Sequence, residues 1–197
     1  TEEFWKMLRA LRQTGLEEID GDLVIDASFF DGNDGDPGAF DGQPYRSYNV
    51  LPDALLINYK VVRFQFLQDL QSRGVRISAD PMPSNLTIRN DIDLIDGPCR
   101  GYQAGISFDL RDAETGNMVV FSGRFPAACS PYGMTRSVLQ HNTYAYGVFD
   151  TLWKQLGGRI HGGLGSGAIA EDAKLALTWR SPPLGEIIRS INKFSNN

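Results

Sequence analysis

Apolar positions recur at helical spacing through residues 2 to 14, where Phe4, Met7, Leu8 and Leu11 fall on one stripe. Glu2 and Glu3 suit the positive end of that helix's dipole, and Gly15 supplies a stop. Residues 22 to 28, Asp-Leu-Val-Ile-Asp-Ala-Ser, form a short apolar run between Gly21 and an acidic loop, which predicts a buried strand. Residues 29 to 44 are dense in Gly, Asp and Pro and predict a long loop of the kind that is either functional or mobile. From about Pro52 to Ala128 the period falls to two. Val62, Phe64 and Phe66 alternate with Arg63 and Gln65, Gly74 marks a turn, Val75, Ile77 and Ala79 alternate next, and Leu86 and Ile88 follow. Ile106, Phe108 and Leu110 then alternate with Ser107, Asp109 and Arg111, a polar turn spans 112 to 117, and 118 to 125 returns as the second arm of a β-hairpin. Beyond Pro131 the helical period resumes, with Ala145, Phe149, Leu152 and Leu156 on one face and Gly157-Gly158 at its end. Residues 160 to 164 and 175 to 178 suit short strands.

These elements predict an α+β multidomain chain. An α/β domain of residues 1 to 50 and 131 to 180 is interrupted by a nested all-β domain, residues 51 to 130, of some five or six strands. Residues 181 to 197 begin something else. Ser181 can cap a helix, Pro182 suits its first turn, and Leu184, Ile187, Ile188 and Ile191 form an apolar stripe. Such a face needs a partner surface, and the expectation is that the natural domain continues past Asn197.

Composition narrows the class. With 42% hydrophobic and 22% charged residues, the 197-residue chain is neither disordered nor fibrous and can bury a core without staples. No apolar run approaches the ~18 residues of a membrane-spanning helix. The opening Thr-Glu-Glu reads as a soluble segment already processed or cut. A net charge of −5 without a basic cluster argues against nucleic acid as a partner. Two cysteines and two histidines are too few and too scattered for a structural zinc site, so no metal is expected. The hairpin brings its two ends together and so places Cys99 near Cys129. They are either two buried thiols or, as expected, a disulfide, whose loop of about 30 residues adds roughly 3 to 4 kcal/mol and points to an oxidising compartment.

The tail ends Ser195-Asn196-Asn197, an S-x-N triplet after an amphipathic helix and Asn192-Lys193-Phe194. In that context it resembles the second active-site motif of penicillin-binding proteins, nearest to the class C, low-molecular-mass D-alanyl-D-alanine carboxypeptidase/endopeptidases. The resemblance extends to residues 19 to 31, to 48 to 58, to the Cys99 and Cys129 hairpin, and to 137 to 158 with Tyr144. It implies two domains inserted into a serine transpeptidase/β-lactamase-like fold, with residues 181 to 197 opening the returning catalytic domain. Catalysis in this class needs S-x-x-K, S-x-N and K-T-G motifs. By resemblance Ser195 relays a proton toward the leaving D-alanine nitrogen and Asn197 anchors the substrate amide, while Asn196 stands where many relatives have Asp. Asp41 is the candidate that selects the amine of the peptide stem, although the tryptophan-rich context of many relatives is missing around it. The implied partners are peptidoglycan stem peptides and, through the parent enzyme, β-lactams. No cofactor is implied, and the implied compartment is the periplasm.

Other patterns are weaker. No Lys precedes Ser-Gly or Thr-Gly, so K-T-G is absent. A literal S-x-x-K at Ser190 and Lys193 stands two residues before S-x-N, too close for the two motifs to converge on one carbonyl, and reads as a decoy. The segment is therefore expected to begin after the nucleophile and to end inside the second motif. Asp31 to Asp36 lacks the ligand register of a calcium loop, with Gly42 where a bidentate Glu belongs. Gly157 to Gly167 has no Lys-Ser or Lys-Thr for phosphate. Asn85-Leu-Thr87 matches a glycosylation sequon, and His141 reads as a cap or a surface residue. Two functions stand after this: part of a serine carboxypeptidase, or a non-catalytic module that binds wall polymer or a protein.

Overall fold

In the computed structural model, residues 1–30, 35–100, 105–111, 117–165 and 167–194 are described. Helix α1 (Glu2–Gln13) turns the stripe of Phe4, Met7, Leu8 and Leu11 inward, and Leu8 is fully buried. Strand β1 (Glu18–Ile19) is short, and β2 (Leu23–Val24) stops where Asp26 ends the extended run. Its carboxylate accepts the Ser28 N–H at 2.9 Å and the Ile169 N–H at 2.9 Å, a local turn in place of a ladder.

Two three-stranded sheets form the β body, with five of their six strands from the period-two region. Strands β3 (Val62–Asp69), β4 (Gly74–Asp80) and β8 (Tyr132–Arg136) form an antiparallel sheet in the order β4-β3-β8. Strands β5 (Thr87–Ile95), β6 (Ile106–Arg111) and β7 (Met118–Pro126) form the other, in the order β5-β7-β6. There β6 and β7 pair antiparallel from Ile106 opposite Gly123 to Arg111 opposite Met118, while β5 runs parallel to β7. Val62, Phe64 and Phe66 point inward from β3, and the rings of Phe64 and Phe66 meet Phe121 of β7 at centroid distances of 4.8 and 5.1 Å. Each fully buried ring of this kind contributes about 1.5–3 kcal/mol. Asn90 of β5 reaches the Val75 carbonyl of β4 at 2.6 Å, so the sheets adjoin along that side.

Helix α2 (His141–Gln155) lies between this β body and α1. Tyr144, Ala145 and Val148 pack on the β body, and Phe149 and Trp153 pack against Leu8. The helix ends as its glycines require. Gly157 takes φ +79°, and the Gly157 and Gly158 N–H groups bond the Lys154 and Trp153 carbonyls. Gly147 permits a close approach: a Cβ there would stand 2.0 Å from Asn85 Oδ1 and 2.7 Å from Pro83 Cβ. Strands β9 (Arg159–Ile160) and β10 (Leu164–Gly165) pair in parallel with β1 and β2.

The structure is therefore a mixed α/β body with small sheets. It departs from the sequence reading in four elements, the first being β2, a two-residue strand with Val24 exposed where a buried strand over 22 to 28 was expected. The helical period does not resume at Pro131, because residues 132 to 136 extend β3's sheet; five residues are too few to display their own period. Residues 175 to 178 form no strand and find no partner among the described residues, with Leu175 exposed. Helix α3 (Leu184–Phe194) starts later than the Ser181 cap suggested, with the Ile187 N–H reaching the Pro183 carbonyl at 3.2 Å. Among the described residues no helix is long and apolar enough to cross a membrane.

Candidate functional site

The Cys99 and Cys129 pair is bonded, with Cα atoms 4.9 Å apart and a sequence separation of 30. Cys129 is buried beneath the β body, at the foot of the β6 and β7 hairpin, so the bridge ties the exposed 96 to 100 turn to the core.

Asp41 lies in the long loop, where three donors converge on its carboxylate. The Tyr48 hydroxyl donates at 2.8 Å, Asn49 Nδ2 at 2.7 Å and the Gln43 N–H at 2.9 Å. These bonds, Tyr48 first, hold its pKa below the usual aspartate value and keep it ionised. They also fold the loop so that Arg46, Ser47 and Tyr48 form one lip of a groove of about 690 Å³. The other walls come from β6 at Ile106 to Phe108 and from β8 at Tyr132 to Arg136. Arg136 lies over the Phe108 ring at 5.5 Å, and Tyr45 meets Phe108 edge-on at 5.6 Å. Burial lowers the Arg136 pKa from its ordinary value, and the charge of Arg46 adds to the effect. Sequence reading found Asp41 but neither arginine. They stand 90 positions apart in the chain, and only the fold brings them to one groove.

A second polar cluster secures α2. The buried Tyr144 hydroxyl donates to the Val61 carbonyl at 2.9 Å and accepts from Asn58 Nδ2 at 3.4 Å; burial pushes its pKa up to about 12. Asn58, Tyr59 and Lys60 all take positive φ, a left-handed turn that these bonds help hold. His141 is the first residue of α2 and not its cap. Its Nδ1 lies 3.7 Å from Asp53, while burial, then Lys60, lowers its pKa. Asn85, the sequon residue, donates to the Thr143 carbonyl at 2.9 Å and packs against Gly147, so its side chain is a fastener of the 83 to 86 turn.

Ser195 and Asn197 lie outside the described residues, as do Asp31 to Asp34 of the calcium-like run. Helix α3 leads directly to Ser195. Its Leu184, Ile187, Ile188, Ile191 and Phe194 are exposed, and none of its residues is buried. No hydrogen bond joins Ser190 to Lys193, whose ammonium lies 5.2 Å from the Phe194 ring centre. The glycine-rich 157 to 165 segment spends its backbone donors within the fold: the Gly163 N–H bonds Asp22 at 2.7 Å and the His161 N–H bonds the Ile19 carbonyl at 2.9 Å.

Solved structures similar in fold include two of one protein. Penicillin binding protein 4 (dacB) from Haemophilus influenzae superposes with a TM-score of 0.67 at 19% identity, over 95% of this chain and 41% of that one. The same protein complexed with a novel beta-lactam gives a TM-score of 0.63 at 16% identity, over 96% and 38%. The chain thus spans about two fifths of those proteins' length. No curated protein matches it. The model of the D-Ala-D-Ala carboxypeptidase 3 (S13) family matches residues 1–197 without remainder, and the chain belongs to that family.

Proposed function

We propose that this chain supplies the inserted region and the S-x-N motif of a serine-type D-Ala-D-Ala carboxypeptidase/endopeptidase acting on peptidoglycan stem peptides. The observation that carries the reading is the family match along all 197 residues. In this reading residues 1 to 50 and 131 to 180 form one inserted domain, 51 to 130 the nested β domain, and 181 to 197 the start of the catalytic domain. The uncovered apolar face of α3 supports that division, because a helix with five exposed large apolar side chains is a surface awaiting a partner.

The chemistry follows from hydroxyl and amide roles. A serine nucleophile supplied outside these residues attacks the carbonyl of the penultimate D-alanine and forms an acyl-enzyme. The Ser195 hydroxyl relays a proton to the departing D-alanine nitrogen, and the Asn197 amide holds the substrate backbone. Asp41, kept ionised by its bonds to Tyr48, Asn49 and Gln43, faces a cationic group of the stem. The disulfide supports an oxidising compartment, which we assign as the periplasm.

With no K-T-G and with Ser190 as the sole serine of an S-x-x-K, the chain alone is expected to take up no β-lactam. Incubation with fluorescent penicillin and intact-mass analysis should give an adduct on the full-length gene product and none on residues 1 to 197. An adduct at Ser190 of the isolated chain would overturn the assignment.

A further inference from the structure

The groove between β6 and β8 joins three features that the S-x-N reading does not use. Its two walls are edge strands, β6 at the end of the order β5-β7-β6 and β8 at the end of β4-β3-β8. Edge strands present backbone donors and acceptors that pair with an added extended chain. The protein already pairs with this edge once, where the Ser137 N–H just past β8 bonds the Tyr45 carbonyl at 2.9 Å. The groove also holds two guanidinium groups in a chain of net charge −5. Arg46 donates through Nε to Gln43 at 2.8 Å and Arg136 through Nη1 to the Thr135 carbonyl at 2.7 Å, both neutral acceptors. Among the described residues neither arginine forms an ion pair: Arg46 lies close enough to Asp41 to help lower its pKa, but the Asp41 carboxylate is hydrogen-bonded to Tyr48, Asn49 and Gln43, and Arg136 has no carboxylate bonded to it. Two guanidiniums facing one groove oppose each other's charge, and a carboxylate between them removes that cost through charge-assisted, fork-shaped hydrogen bonds. Finally, Phe108, Tyr132 and Tyr48 give the walls aromatic surface for side chains on either side of such a group.

We propose that this groove binds an extended peptide bearing a carboxylate, with the peptide backbone along the β6 or β8 edge and the carboxylate between Arg46 and Arg136. The site contains no residue of the catalytic motifs. It is a peptide-anchoring subsite on the β body and goes beyond the carboxypeptidase reading.

The test is calorimetric titration of the 197-residue chain with an N-acetylated, C-amidated peptide alternating Val and Glu, and with the same peptide carrying Gln for Glu. The Glu peptide is expected to bind about tenfold more tightly, the loss of one charge-assisted hydrogen bond. Arg46→Gln and Arg136→Gln should each remove most of that difference, and Arg136→Lys should retain part of it. Far-ultraviolet dichroism of each variant confirms that the fold persists, and Arg46→Gln, near the surface, provides the readout if Arg136→Gln unfolds. Equal affinity for the two peptides, undiminished binding by Arg46→Gln, or displacement of the Glu peptide by inorganic phosphate at matched concentration would each overturn the proposal. Loss of the groove effect with penicillin labelling of the full-length product intact would sink the subsite and leave the catalytic reading standing.

Discussion

The β body with α1 and α2, and the segment from residue 167 to 194, are written in the same amphipathic language but use it differently. In the β body the alternation of β3 buries Val62, Phe64 and Phe66 completely, and α2 buries seven residues on two flanks. In the C-terminal segment α3 has the sharper separation of apolar and polar faces, yet Leu184, Ile187, Ile188, Ile191 and Phe194 all remain exposed. Amphipathicity states that a face needs covering; it does not say by what. Inside the β body the cover comes from strands and helices of this chain. For α3 none of the described residues supplies it.

The contrast can be broken most severely at the centre of the β body. Phe121→Ala removes the ring that meets Phe64, Phe66 and Phe108, and should cost about 3–5 kcal/mol, read as a lowered denaturant midpoint. Replacing Cys99 and Cys129 together by Ala reopens the loop and should cost about 3–4 kcal/mol on the chain-entropy model. A midpoint unchanged by either would mean that the body is held by something other than this core. Gly147→Ala drives a methyl into Asn85 and Pro83 and should cost about 1–3 kcal/mol, separating α2 from the 83 to 86 turn. Ile188→Ala, by contrast, should move the midpoint by less than about 0.5 kcal/mol in the 197-residue chain. A larger loss would show that α3 is packed against this chain after all.

The smallest effect concerns the seam where β1 meets β9. Arg159, then His161, bond Glu18 and hold its pKa down to about 2, from an ordinary value of 4.5. The depressed value places its contribution above the ordinary pKa, and that contribution is lost as pH falls through about 2. Carboxyl NMR should follow this low titration, and Arg159→Gln should raise it toward the ordinary range.

Much of this was legible in the residues. The stripe of Phe4, Met7, Leu8 and Leu11, the alternation of β3, the 106 to 125 hairpin and the cysteine pair all follow from local period and from the closeness of hairpin ends. What escaped was set by partners distant in sequence. The parallel pairing of β5 with β7 and the recruitment of residues 132 to 136 to β3 leave no local mark. The 22 to 28 run was cut short by Asp26 reaching the Ile169 backbone, a contact invisible at the level of periodicity. Asp41 was found as a residue, but its bonds to Tyr48 and Asn49 were not. The meeting of Arg46 and Arg136 needed the fold.

The proposed function gives Ser195 the role of proton relay to the departing D-alanine. Its most direct test is hydrolysis of a D-Ala-D-Ala-terminated pentapeptide by the full-length gene product and by its Ser195→Ala variant. Loss of the proton relay should lower kcat by about 10²–10⁴-fold with the melting temperature unchanged. A Ser195→Ala enzyme that turns over at the parent's rate would contradict the account.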